Sequence, residues 1–142
     1  MRLKVTVIGH PEPGGSKRWL GKGRPVIDDN PKVMPWRALV AAAAVAAMGD
    51  REPLTGPVGV AFTFFVRHPQ GHFRTGKRAG ELRASAPRRP TVRPDVTKLI
   101  RSVEDACTSI LWRDDSQIVF QVGRKLYGTP ERCEIELREL PL

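Results

Sequence analysis

Apolar and polar residues alternate at the start of the chain. In "RLKVTVIG", Leu3, Val5 and Val7 are separated by Lys4 and Thr6, the pattern of a strand with one buried face. Residues 10 to 33 break that pattern with proline, glycine and charge, as in "PEPGGSKRWLGKGRP", and read as loop. A helix opened by Pro35 near its first turn then runs to about Met48, since proline is tolerated where the helical N–H has no partner. In "GPVGVAFTFFVRH", Val58, Val60, Phe62, Phe64 and Val66 share one face, with small residues and Phe65 on the other, as a well-covered strand requires. From His68 to Arg93 no period emerges; a loop of that length inside a domain is usually functional or disordered. Leu99, Val103, Ala106 and Ile110 then fall within a narrow arc at 100° per residue, predicting a helix over roughly 97–111. Two strands follow, "QIVFQVGRKLY" and "RCEIELREL", joined by a turn at "GTPE". The predicted order β–α–β–loop–α–β–β is that of an α+β fold, two helices packed on a small mixed sheet. The 142 residues suit one domain, with the long loop at about 68–93 as its main irregularity.

Composition adds location and partner to this outline. No run approaches the roughly 18 apolar residues of a membrane span, and the charged first strand lacks the apolar stretch and cleavage site of a signal peptide. A cytoplasmic protein without a membrane partner is expected. Cys107 and Cys133 have neither metal-ligand spacing nor an extracellular setting, so they read as free, packed thiols. The formal net charge is +9, which suits a polyanionic partner. Between Arg67 and Arg101 lie ten lysines and arginines against two acids, Glu81 and Asp95. Arg74, Lys77, Arg78, Arg83, Arg88, Arg89 and Arg93 are therefore the first candidates for phosphate contact. Lys17 and Arg18, beside Trp19 in a glycine-rich loop, are the second, since an aromatic ring can stack on unpaired bases. His68 and His72 flank "PQG" in the basic loop and read as surface or phosphate contacts before they read as metal ligands. Trp112 reads as a core or interface anchor. "GGSKR" lacks P-loop spacing, which excludes that route to nucleotide hydrolysis.

Against this basic background, "RPDVTKLIRSVEDACTSILWRDDSQIV" (93–119) gathers Asp95, Asp105, Asp114 and Asp115. A structural account is available for each: Asp95 as helix N-cap, Asp105 as partner of Arg101, and "RDDS" as a turn. Lys98, Arg101 and Asp105 share one helix face by their spacing. A helix of 15 residues is about 22 Å long, so it cannot by itself bring Asp95 to Asp115; either Asp115 folds back along the next strand or the acids serve separate purposes. Carboxylates beside lysine and arginine also suit phosphodiester cleavage, where carboxylate oxygens hold a divalent cation and the cations hold phosphates.

The same run resembles the core motif of RusA-type Holliday junction resolvases, in which a PD-x-D-N/K-L segment leads through a helix to W-x-DD-x-Q-V/I. "PEPGGSKR" and "HFRTGKRAGELRASAPRRPTVRPD" also look like phage-type and actinobacterial members, so the likeness covers most of the chain. The resemblance implies a RusA-like fold and an Mg2+-dependent endodeoxyribonuclease, with Mn2+ as a substitute, acting on four-way DNA junctions in recombination and repair. It assigns Asp95 and Asp115 as catalytic, metal-binding carboxylates. Thr97 stands where many members carry another metal-binding aspartate, which leaves Asp105 or Asp114 to compensate. Arg101 falls at a functionally important lysine, keeping the charge but not the point-like ammonium, and Lys98 is its substitute one turn earlier. Paired nicks across a symmetric junction call for a homodimer. Two rivals remain: a DNA-binding recombination accessory with impaired catalysis, suggested by Thr97, and a basic RNA-binding domain whose acids only cap and pair.

Overall fold

A four-stranded sheet of order β1-β6-β4-β5 carries two helices on one face. The computed structural model describes residues 1–15, 17–28 and 30–142, with the side chains of Lys17, Arg18, Ile27 and Asp28 outside the description. In chain order the elements are β1 (Arg2–Ile8), β2 (Lys17–Trp19), β3 (Val26–Asp28), α1 (Val33–Met48), β4 (Val58–Val66), α2 (Val96–Cys107), β5 (Ile118–Tyr127) and β6 (Arg132–Glu139). β1 and β4 flank β6 antiparallel, while β5 runs parallel to β4. The sheet is therefore mixed, and the α+β expectation is met.

Each element buries the face its sequence period marks. α1 turns Val33, Trp36, Val40, Ala44 and Met48 inward, against Val5 and Val7 of β1, Val58, Val60, Phe62 and Phe64 of β4, and Cys133, Ile135 and Leu137 of β6. α2 adds Leu99, Ile100, Val103, Ala106 and Cys107. It lies close on β5 because Gly123 has no side chain: a Cβ there would run into Ile100 Cδ1 and meet Val96 Cγ2 at 3.2 Å. Trp112 is fully buried, an anchor of the core, and both cysteines are buried and free. Phe65 lies on the helix-free face under the guanidinium of Arg132, 3.7 Å from its ring centre.

Three local expectations are corrected. The stretch 10–33 is not wholly loop: β2 and β3 pair as a short antiparallel hairpin. α2 ends at Cys107, four residues before the expected 111. Thr108 turns extended, its hydroxyl donates to the Glu104 carbonyl at 2.8 Å, and it accepts from Trp112 Nε1 at 3.2 Å; Ser109 then takes a left-handed φ of 74°. That side-chain lock, invisible in the apolar period, stops the helix. The segment after β4 also has structure. The Arg83 N–H donates to the His72 carbonyl (2.8 Å) and the Arg74 N–H to the Glu81 carbonyl (2.7 Å), closing a small hairpin around the Phe73–Leu82 bridge.

Candidate active site

Asp95 sits at the N-terminus of α2 as its cap, Oδ1 accepting from the Lys98 N–H at 2.9 Å. The basic segment ends there, pinned by Lys125 Nζ, which donates to the carbonyls of Val92 (2.8 Å) and Pro94 (2.9 Å). Asp95 therefore lies level with the C-terminal end of β5. Thr97, one residue into α2, is exposed. Beside the helix runs the segment 11–15. The Ser102 hydroxyl donates to the Glu12 carbonyl at 2.6 Å, the Gly14 N–H donates to the Lys98 carbonyl at 2.9 Å, and a Cβ on Gly14 would stand 3.1 Å from Ser102 Cβ. The exposed Arg101 side chain spreads over Gly15, so segment 11–15 and Arg101 share the solvent side of α2. Lys98 is half-buried one turn earlier.

The other acids collect at the opposite end of α2. Asp114 caps a 3-10 turn (Asp115–Gln117) with a capping box: its side chain accepts from the Ser116 N–H at 2.9 Å, and Gln117 Oε1 accepts from the Asp114 N–H at 2.8 Å. Gln117 Nε2 in turn donates to the carbonyls of Leu54 and Gly56, fixing the turn to the entry of β4. The Ser116 N–H chiefly holds the Asp114 carboxyl below its ordinary value. Asp115 is the exposed first residue of that turn. Its carboxyl is pushed up by the hydrogen bond it shares with Asp114, then by desolvation and by the charges of Asp114 and Asp105, with the Ser116 N–H opposing. Glu104, half-buried, is pushed up by burial first and then by Asp115 and Asp105, with Arg101 opposing. Four carboxylates thus crowd one corner, three of them mutually repelling.

This placement sorts the expected residues. Asp105, Asp114 and Asp115 come together; Asp95 does not join them, because α2 separates Asp95 from Asp105 by about 15 Å of rise. No ion pair within 4 Å joins Arg101 to Asp105 among the described residues; Arg101 acts instead on Glu104. Glu104 is the member that sequence reasoning missed. Its spacing from Arg101 was a usable signal, but its half-burial and the field of Asp115 upon it depend on tertiary placement, which no local pattern encodes. Among the described residues no group of three or more His, Cys, Asp or Glu is arranged to hold a metal ion. The donor chemistry nonetheless suits a hard divalent cation that retains several waters and takes one or two carboxylates.

Of the candidate phosphate contacts, Lys77, Arg78, Arg83, Arg88, Arg89 and Arg93 are exposed and Arg74 is half-buried; the side chains of Lys17 and Arg18 lie outside the description. Trp19 is 69% exposed. His68 and His72 face each other, Nδ1 to Nδ1 at 3.0 Å. The His68 ring stacks on Tyr127 at 3.7 Å, and burial together with His72 lowers its pKa. Next to them Arg67, His68, Arg74 and Glu131 line an open hollow between the hairpin and the sheet.

A basic α+β domain with crowded carboxylates at one end of a helix and cations along its flank defines a class of protein that handles polyanions. The family model described as "Endodeoxyribonuclease RusA" matches residues 9–138, and the chain belongs to that family. It is also similar to "Uncharacterized protein YqaN" of Bacillus subtilis (strain 168), 30% identical over 140 residues, covering 97% of this chain and 96% of the relative. Membership indicates an endodeoxyribonuclease of the Holliday junction resolvase type. No helix among the described residues is long and apolar enough to cross a membrane.

Proposed function

We propose that the protein is a divalent-metal-dependent, structure-selective endodeoxyribonuclease that resolves four-way DNA junctions by paired nicks, as a homodimer, in recombination and repair. The observation that carries this reading is the cluster itself: Asp115, an exposed carboxylate hydrogen-bonded to Asp114, lies beside Asp105 and Glu104, where a bound cation would relieve the gathered negative charge. Asp115 and Asp105, with Asp114 beside them, and Asp95 are the carboxylates for Mg2+, or Mn2+ in its place. When bound, that ion would polarise the scissile phosphodiester and make water a better nucleophile. Arg101 and Lys98 hold the phosphate next to it. The exposed cations between Arg74 and Arg93 grip the arms of the junction through their phosphates. A homodimer supplies two symmetry-related sites for two matched nicks.

The separation of Asp95 from Asp115, together with Thr97 at a usual carboxylate position, favours one rival: a junction-binding accessory that cuts poorly. Incubating the protein with a synthetic four-way junction, a linear duplex and an RNA, each with Mg2+ and with EDTA, decides. Paired nicks on the junction alone, lost in EDTA, are expected. Junction binding without cutting would favour the accessory, and tightest binding to RNA would overturn both DNA readings.

A further inference from the structure

The helix-free face of the sheet holds a hollow that neither the carboxylates nor the basic segment occupies. Register places Arg2 of β1 opposite Arg138 of β6, Arg138 opposite Gly59 of β4, and Gly59 beside Phe120 of β5. The next row on that face holds Lys4, Glu136 and Ala61. These residues line an open hollow of about 490 Å3, floored by β4 because Gly59 and Ala61 scarcely rise above the sheet. A Cβ on Gly59 would stand 3.3 Å from Arg138 Nε and 3.6 Å from Phe120 Cδ1. The missing side chain thus leaves a gap between the rows of β5 and β6, which lie two strand spacings apart, about 9.6 Å. The two walls of the gap are unlike. Phe120, 51% exposed, offers an aromatic ring, with Arg138 Cζ 5.8 Å from its centre. Opposite it, Arg2 and Arg138 set two like charges side by side on paired strands, which is unfavourable. Among the described residues neither guanidinium has a carboxylate within 4 Å, and Lys4 pairs with Glu134 at 3.2 Å, which leaves Glu136 without an ion pair as well.

We infer that this hollow binds one unpaired nucleotide of single-stranded DNA, its base stacked on Phe120 and its phosphate held by Arg2 and Arg138. An aromatic face accepts any base. Two guanidiniums without acidic partners are matched by phosphate oxygens, which the planar fork of arginine can contact two at a time. A base inside a duplex is already stacked on both faces and has none free for Phe120, so the site distinguishes unpaired from paired DNA. Glu136 adds a preference: its carboxylate accepts from the exocyclic amine of adenine or cytosine, which thymine lacks. The inference deepens the nuclease reading and rests on it only for the source of the strand, since unpaired nucleotides arise where strands part at a branch. Phe120 lies near the start of β5, soon after the turn that carries Asp114 and Asp115. A strand seated in the hollow would therefore enter at the acidic end of the sheet, on the face turned away from α2.

Calorimetric titration of the full chain in EDTA tests this without metal or cleavage, using deoxyadenosine monophosphate (dAMP), dCMP, dTMP, deoxyadenosine and inorganic phosphate. One dAMP per chain is expected, bound more tightly than deoxyadenosine or phosphate, with dCMP about fivefold tighter than dTMP, the worth of one hydrogen bond. Gly59→Val fills the floor with a residue that strands favour and should abolish dAMP binding with no loss of thermal stability. Phe120→Leu keeps an apolar residue without a ring and should weaken dAMP at least about fivefold. Arg2→Gln combined with Arg138→Gln should weaken dAMP and leave deoxyadenosine as it was. Gly59→Val should also weaken single-stranded oligo(dA) while leaving a blunt duplex untouched. A wild type that binds no dAMP, phosphate that binds as tightly as dAMP, or Gly59→Val and Phe120→Leu chains that bind dAMP like wild type would each overturn the inference. Loss of dAMP on replacing Arg74, Lys77, Arg78 and Arg83 by alanine would overturn it too, by moving the nucleotide to the hairpin. A chain that binds dAMP as described but cuts no junction supports the inference and sinks the nuclease reading alone; one that cuts junctions but binds no dAMP does the reverse.

Discussion

Asp95 carries two duties that substitution can separate. Asparagine caps a helix about as well as aspartate, whereas alanine at an N-cap costs about 1 kcal/mol. Asp95→Asn should therefore melt close to wild type yet lose junction cleavage, while Asp95→Ala loses both cleavage and about 1 kcal/mol; thermal unfolding run beside a cleavage assay reads the two duties independently. Asp115→Asn should abolish cleavage and leave junction binding intact or tighter, since a negative charge facing phosphates is removed. Activity within a few-fold of wild type would count against Asp115. Thr97→Asp should keep or raise Mg2+-dependent cutting, and a folded but inactive variant would refute its alignment with the usual aspartate. Glu104 allows a test by pH. Burial and neighbouring acids raise its pKa above the ordinary 4.5, so just above that pH the folded chain holds more protons than the unfolded one, and stability falls as pH rises through the window. Glu104→Gln should shrink the drop in urea midpoint between pH 4.5 and neutrality; an unchanged drop would show that the repulsion is not felt. The capping of Asp95 was legible in the sequence because it is local, whereas Glu104 depends on a turn arriving from elsewhere in the chain.

At the scale of elements, α2 shows where sequence reading succeeds and stops. Leu99, Val103 and Ala106 fixed its buried face. Its end was misplaced because Thr108 and Trp112 settle it through side-chain contact, while Ile110 continued the apolar period past the last helical turn. The β2–β3 hairpin escaped notice for a related reason: "KRW" carries no alternation, and three-residue strands form only by finding each other. Gly123 marks the contact that positions α2 over β5. Gly123→Ala pushes a methyl group into Ile100 and should cost about 1–3 kcal/mol, seen as a lower denaturation midpoint with reduced amide protection across α2. A fully stable variant would mean that the helix is free to shift, which would also loosen the spacing between Asp95 and the turn that carries Asp114 and Asp115.

Across the whole molecule, charge was read more easily than shape. The excess between Arg67 and Arg101 is visible in composition, but the hairpin that displays part of it needs Phe73 to meet Leu82. Replacing Arg74, Lys77, Arg78 and Arg83 by alanine leaves the backbone bonds of that hairpin in place. On an Asp115→Asn background, it should flatten the log–log salt dependence of junction binding by up to about 3–4 units; an unchanged slope would move the DNA to another surface. The mixed sheet was foreseeable from strand order, and helix length alone kept Asp95 from Asp115; what the sequence left open was whether Asp115 folds back toward Asp95, and with α2 antiparallel to β5 it stays at the far end of the helix. The buried sulfur atoms have a practical consequence. Cys107 and Cys133 are wholly covered, and burial pushes the Cys107 thiol up to about 12 and that of Cys133 higher still. Since only thiolates react readily with maleimides, the native chain should stay dark to a thiol-reactive dye. A cysteine introduced at an exposed position such as Ser85 would then take the fluorophore alone, and the slow labelling of the two native thiols would report how often the core opens.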